Sequence, residues 1–184
     1  MLLKFWLNKP KAFAKVWQER GLLSAIIDSV NYLKWLQQDR SQYLNWVKAQ
    51  QLTESEIVRI RGEIEQWEIA PTFSVLVPVY NTRPQLLKDA IESVRSQIYP
   101  HWQLYLVDDC SPSRATRRVL QKYEAADSRI HVIFLEKNGG ISKATNAALE
   151  AATGDYIALL DHDDELAVNA LYENAKVIRQ HPET

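Results

Sequence analysis

Apolar positions along the chain change their period at about Pro71. Before it they recur at helical spacing: Leu22, Leu23, Ile26, Ile27, Val30 and Leu33 make one face, and Ile57, Ile60, Ile64 and Trp67 another. Thr53, with Glu56 three residues on, has the capping-box pattern that opens the second of these helices. From Phe73 onward, short apolar runs alternate with helical segments. Residues 73–79 predict a strand, and Leu86, Leu87, Ala90, Ile91 and Val94 then mark a helix that Pro84 opens. Residues 104–107 predict a second strand, followed by a helix around Val119, Leu120 and Tyr123. Residues 130–135 predict a third, followed by a helix carrying Ala144, Ala147, Ala148 and Ala151, which Gly154 ends. The run Tyr156-Ile157-Ala158-Leu159-Leu160 predicts a fourth, and helical spacing resumes over residues 166–171. Strands alternating with helices predict an α/β fold with a parallel sheet, right-handed crossovers and helices on both faces. The near-continuous apolar character of the strands predicts burial on both faces.

This division gives a helical extension over residues 1–70 and an α/β domain over residues 71–184. In a chain of 184 residues, 46% of them hydrophobic, there is enough apolar material for a core of good size. Five tryptophans, Trp6, Trp17, Trp35, Trp46 and Trp67, fall in the extension, where large aromatics serve packing or partner docking. Charge divides there too: ten Lys/Arg against eight Asp/Glu before Pro71, and twelve against fifteen after it. Much of the early positive excess lies in residues 1–20, where Lys4, Lys9, Lys11, Lys15 and Arg20 interleave with large apolar side chains. That pattern is compatible with peripheral contact to an anionic membrane and equally with packing on the protein's own body.

A formal net charge of −1 gives no reason to expect nucleic acid as a partner. The single cysteine, Cys110, excludes an internal disulfide framework and fits a reducing compartment. Charged residues interrupt every apolar run short of the ~20 residues a membrane span requires, and the start lacks a secretory signal pattern. The expectation is a cytoplasmic protein, with the inner face of the membrane as the alternative placement.

Candidate chemistry gathers at the carboxyl ends of the predicted strands, where open α/β sheets bind ligands. After the first strand comes Tyr80-Asn81; after the second, Asp108-Asp109-Cys110-Ser111; after the third, Asn138-Gly139-Gly140; after the fourth, Asp161-His162-Asp163-Asp164-Glu165. Each cluster has a local explanation. Tyr80-Asn81 reads as a turn, Asp109 or Ser111 as turn or cap chemistry, Asn138-Gly139 as a hairpin turn, and Asp164 as a helix cap. Their common location at one rim favours a shared site. Carboxylate oxygens after the fourth strand suit a hard divalent cation, and such a cation is able to hold a diphosphate. With five glycines, the chain has neither a dinucleotide fingerprint nor a phosphate-cradling Walker loop. Cys110 and the histidines show no nucleophile–base arrangement, and the imidazole of His162 is a softer ligand than carboxylate for Mg or Mn.

The ordered set Pro78-Val79-Tyr80-Asn81, Val107-Asp108-Asp109-Cys110-Ser111, Asn138-Gly139-Gly140-Ile141-Ser142 and Leu160-Asp161-His162-Asp163-Asp164 resembles the successive motifs of family 2 glycosyltransferases with the GT-A fold. The resemblance covers residues 73–184. It implies transfer of a sugar from a UDP- or dTDP-linked donor to a glycan or lipid-linked acceptor, with inversion, with Mn or Mg, in surface polysaccharide assembly. By position it implies that Tyr80 and Asp109 contact the base, and that Asp161 contacts the ribose or diphosphate. Asp161 and Asp163 would hold the metal, while Pro78 and Asn81 shape the first loop. Asp108, Asn138, Gly140 and Asn146 complete the implied donor-binding set.

Two departures qualify this. Family members often carry Arg-Asn in the helix after the glycine pair, where this chain has Thr145-Asn146, with Lys143 as the nearest substitute. The family's acceptor-binding half and its general base come beyond Thr184, so the expectation is a donor-binding part that binds nucleotide but turns over poorly by itself. Two readings from other classes stand beside it: an interaction module built on the Trp-rich helices, and a receiver-like phosphotransfer domain using Asp108 and Asp109 as an acid pair.

Overall fold

Four parallel strands run in the order β3-β2-β1-β4, with β1 at Phe73–Val79, β2 at Trp102–Asp108, β3 at Ile130–Phe134 and β4 at Tyr156–Leu159. This is a computed structural model, and it describes Ser41, Gln42, Asn45, Val47 and residues 51–181. The chain divides into two units, Met1–Thr53 and Glu54–Thr184. The expectations for Leu22 to Leu33, for Trp6, Trp17, Trp35 and Trp46, and for the basic stretch 1–20 lie outside the described residues. The second unit begins earlier than the change of hydrophobic period. Helix α1, Glu54–Glu65, belongs with the α/β unit and buries Ile60 and Ile64. Trp67 stacks on Tyr172 at 5.9 Å and lies 5.8 Å from Tyr99, so this tryptophan serves packing. The Tyr172 hydroxyl donates to Glu63 at 2.9 Å, and burial, then that bond, push its pKa up to about 12.

The connections β1–α2–β2 and β2–α3–β3 use α2 (Pro84–Arg95) and α3 (Arg114–Ala126). Pro84 stands in the first turn of α2, where its missing N–H costs nothing. The Ser113 hydroxyl caps α3 by accepting from Thr116 N. Both connections step the sheet in one direction, whereas the third, β3–α4–β4 with α4 at Ile141–Ala151, steps back past β2 and β1. With right-handed crossovers the reversal puts α4 on the opposite face from α2 and α3. There Leu76, Tyr105 and Val107 pack with Ala144 and Ala148. Small alanines let α4 approach the strands closely. Side chains alternate along a strand, so Val75, Val77, Leu104 and Leu106 face the other layer, and all four are buried.

Two expectations from the apolar pattern are corrected. Burial on both faces holds for β1 and β2, only in part for β3, where Ile130 is buried and residues 131–134 are half-buried, and not for β4, where Ile157 is 42% and Leu159 70% exposed. β4 pairs only with β1 among the described strands, and on the α4 side it extends past that helix's cover. The helix after β4, α5, spans Ala170–Gln180, so Asp164 does not cap it and Asn169 holds the N-cap position. Residues 166–168 are instead tied to the end of α2. Leu166 N donates to Ser93 Oγ (3.0 Å), Gln97 Nε2 to the Ala167 carbonyl (2.7 Å), and Ile98 N to the Val168 carbonyl (2.9 Å). These bonds spend the backbone groups that a helix there would need.

Candidate functional site

The reversal of strand order leaves a crevice beyond the carboxyl ends of the strands, the place where open α/β sheets hold ligands. A pocket of about 460 Å³ occupies it, lined among others by Pro78, Val79 and Tyr80 after β1 and Asp109 after β2. Asn138 and Gly140 enter from the β3–α4 loop, and Asp161, His162 and Asp163 follow β4. Seven of the expected residues therefore meet in one cavity: Pro78, Tyr80, Asp109, Asn138, Gly140, Asp161 and Asp163.

Asn81, Asp108 and Asn146 do not line it. Asn81 takes a positive φ of 49°, and its N–H donates to Ser111 Oγ at 2.8 Å, so it turns the chain at the rim. That conformation suits asparagine better than most non-glycine residues. Asp108 belongs to the strand, and because Val107 faces α4, Asp108 faces the α2/α3 layer. It is 3% exposed, and its Oδ1 has no hydrogen-bond partner among the described residues. Asn146 lies two residues beyond Ala144 on α4, about 200° round the helix from the residue that touches the pocket. The acid pair that a receiver-like site needs is thus split, with Asp108 and Asp109 in different surroundings.

Asp109 is the buried anchor of the rim. It is 3% exposed, its Oδ1 accepts from Gly139 N at 2.7 Å, and its Oδ2 accepts from Gly140 N at 2.8 Å. Asn138 Nδ2 donates to the Asp109 carbonyl at 3.2 Å, and Asp109 N donates to the Val79 carbonyl at 2.8 Å. One residue thereby joins the loops after β1, β2 and β3. Cys110 follows with φ 59°, and its thiol contacts the Glu136 carbonyl at 3.6 Å. Gly140 has φ 83° and ψ 167°, a conformation open essentially to glycine alone, and it starts α4 without a side-chain cap. Asn138-Gly139 is therefore a strand-to-helix turn, not a hairpin. Gly140 and Ile141, at the start of α4, line the pocket, and the dipole at that end of a helix favours an anion.

The same pocket is lined by Asp161 and Asp163, both exposed. His162 Nδ1 lies 3.5 Å from Asp163 Oδ1. Among the described residues no group of three or more His, Cys, Asp or Glu converges as a closed metal cage. Two carboxylates beside an open cavity still fit Mg or Mn, which take one or two protein carboxylates and complete their shell with phosphate oxygens and water. Tyr80, 49% exposed, offers a ring face at the rim. Hydrophobic period alone does not single out the pocket walls at Val79, Ile141 and Ala144, which read as strand and helix interior.

The sheet and its rim have known counterparts. An uncharacterized protein of Sinorhizobium fredii is 49% identical over 125 residues, covering 68% of this chain and 14% of that protein. The putative teichuronic acid biosynthesis glycosyltransferase TuaG of Bacillus subtilis is 50% identical over 95 residues, covering 52% of this chain and 37% of TuaG. The crystal structure of S. aureus TarS 1-349 in complex with UDP-GlcNAc superposes with a TM-score of 0.56 at 32% identity, over 60% of this chain and 32% of that one. The chain thus spans well under half the length of these relatives. The model for glycosyl transferase family 2 matches residues 74–184, more than half of the chain. With the GT-A-type arrangement of its four parallel strands and flanking helices, the chain belongs to glycosyl transferase family 2.

Proposed function

We propose that the pocket binds a nucleoside-diphosphate sugar and that the protein transfers its sugar, with inversion, to a glycan or lipid-linked acceptor in surface polysaccharide assembly. The observation that carries this reading is the meeting of seven residues from four strand ends in one cavity of about 460 Å³ at the point where the strand order reverses. The TarS complex with UDP-GlcNAc and the name of TuaG support the donor class and the setting.

In this reading Tyr80 stacks on the base, and the wall that Asp109 holds together, Asn138 to Gly140, shapes the cavity around the nucleoside. The amide end of α4 faces the diphosphate. Asp161 and Asp163 would hold a divalent cation, Mg or Mn, which supplies charge neutralisation for the diphosphate leaving group when bound. Interactions that strengthen as negative charge develops on that group accelerate the reaction, whereas uniform binding of donor does not.

Calorimetric titration of the chain with UDP, with and without Mn, tests the reading. Metal-dependent binding that disappears in Asp163→Ala is expected. Because Asp163 is exposed, the variant should melt as the parent does. UDP binding that is equal with and without Mn, and unchanged in the variant, would remove the metal from the proposal; absence of UDP binding would remove the donor site.

A further inference from the structure

Helix α3 carries a basic face that the donor site does not use. Its inner side buries Thr116, Val119, Leu120 and Tyr123 against the sheet. At 100° per residue, Arg114 and Arg118 point directly away from that side, with Arg117 and Lys122 flanking them. All four are exposed, and none lies within ion-pair distance of a carboxylate among the described residues. The Arg117 guanidinium lies 4.3 Å from the Phe134 ring centroid, which anchors it on the surface. The remaining outward residues, Ala115, Gln121 and Ala125, are small or polar, and the one exposed acid of the helix, Glu124, stands at the edge of the face, where its carboxylate accepts from Val132 N at 2.9 Å.

From these observations we infer that the outer face of α3 adsorbs the protein to an anionic phospholipid surface. The cations are spread along about 12 Å of helix, at 1.5 Å per residue, and do not converge as a discrete phosphate site requires. A protein interface draws its binding energy from a desolvated centre of aromatic or large aliphatic side chains, and this face has none. A bilayer needs no such centre, because its charge is delocalised and each nearby Lys or Arg adds a similar increment; clusters of four or more on an amphipathic helix have this property. Arg114 follows directly on the loop that carries Asp109 into the pocket, so adsorption by this face places the rim of the sheet beside the bilayer.

Co-sedimentation of the full chain with phosphatidylcholine vesicles, with and without phosphatidylglycerol, tests the inference. Binding only to the phosphatidylglycerol vesicles, weakening as salt rises, is expected. The triple variant R114Q/R118Q/K122Q should bind at least about tenfold more weakly at low ionic strength, since each cation near such a surface is worth about fivefold. Arg117 is left in place to keep its contact with Phe134. R114K/R118K, which keeps the charge, should bind as the parent does, and both variants should melt at the parent's temperature. The inference is overturned if the triple variant binds like the parent, which would move adsorption to another basic segment. It is equally overturned if the parent ignores phosphatidylglycerol, which would leave the face to solvent or to an acidic protein.

Discussion

Replacing Asp109 by asparagine separates an architectural role from a purely ligand-contacting one. In the native protein each carboxylate oxygen accepts one backbone amide, from Gly139 at 2.7 Å and Gly140 at 2.8 Å, in a site that is 3% exposed. Asparagine has nearly the same shape but one acceptor oxygen. It can keep one of these bonds, and its NH2 group then faces the other N–H, donor against donor. The loss combines a charge-assisted bond with an amide left buried and unsatisfied, together about 2–4 kcal/mol. For a protein of this size that lowers the melting temperature by roughly 4–16 °C, at about 2–4 °C per kcal/mol. Thermal denaturation followed by circular dichroism reads the effect, and urea denaturation gives the free energy independently. UDP affinity should fall with stability, because the displaced glycine turn forms one wall of the pocket. Asp109→Asn melting within about a degree of the parent while losing UDP binding would refute the reasoning and assign the carboxylate to the ligand alone.

Other outcomes follow from single residues. Tyr80→Ala should weaken UDP binding about tenfold, within the ~1–3 kcal/mol that aromatic–base stacking provides, without lowering the melting temperature, because the ring is already half exposed. Gly140→Ala places a Cβ where φ is 83° and should cost about 1–3 kcal/mol in urea denaturation. Gly154→Ala should cost a similar amount, about 1–3 kcal/mol, for a different reason: its Cβ would stand 2.7 Å from the Thr72 carbonyl oxygen and 2.8 Å from Ser74 N, both backbone atoms. Asp127 accepts from Arg129 through side chain and backbone, with Arg95 nearby, and these hold its carboxyl at about 2. A depressed carboxyl pKa stabilises the fold above the unfolded value near 4, and that stability is lost as pH falls from there toward 2. Asp127→Asn should therefore be less stable than the parent at pH 6, and the gap between them should narrow in melts taken toward pH 2.

Hydrophobic period is a local property of the chain, and the succession of elements follows from it. Runs such as Phe73 to Val79 can be satisfied only by burial in a sheet, and the alanines of α4 only by close packing on one. The same logic placed polar clusters at one rim, since parallel strands that alternate with helices all end on the same side. Which of these polar residues share a space depends on how the strands and helices pack. Asp108 and Asp109 are neighbours in the chain, yet strand alternation sends the first into the α2/α3 layer and leaves the second to clamp the glycine turn. Asn81 and Asn146 sit in the right motifs but do not line the cavity. The start of α5 was also beyond local reading: the spacing from Leu166 to Leu171 is helical, but Ser93, Gln97 and Ile98 capture residues 166–168 from about seventy positions away. Gln97, 7% exposed, then receives the N–H of Leu171 at 3.0 Å. Such bonds join groups that only the folded sheet brings together, so no periodicity along the chain encodes them.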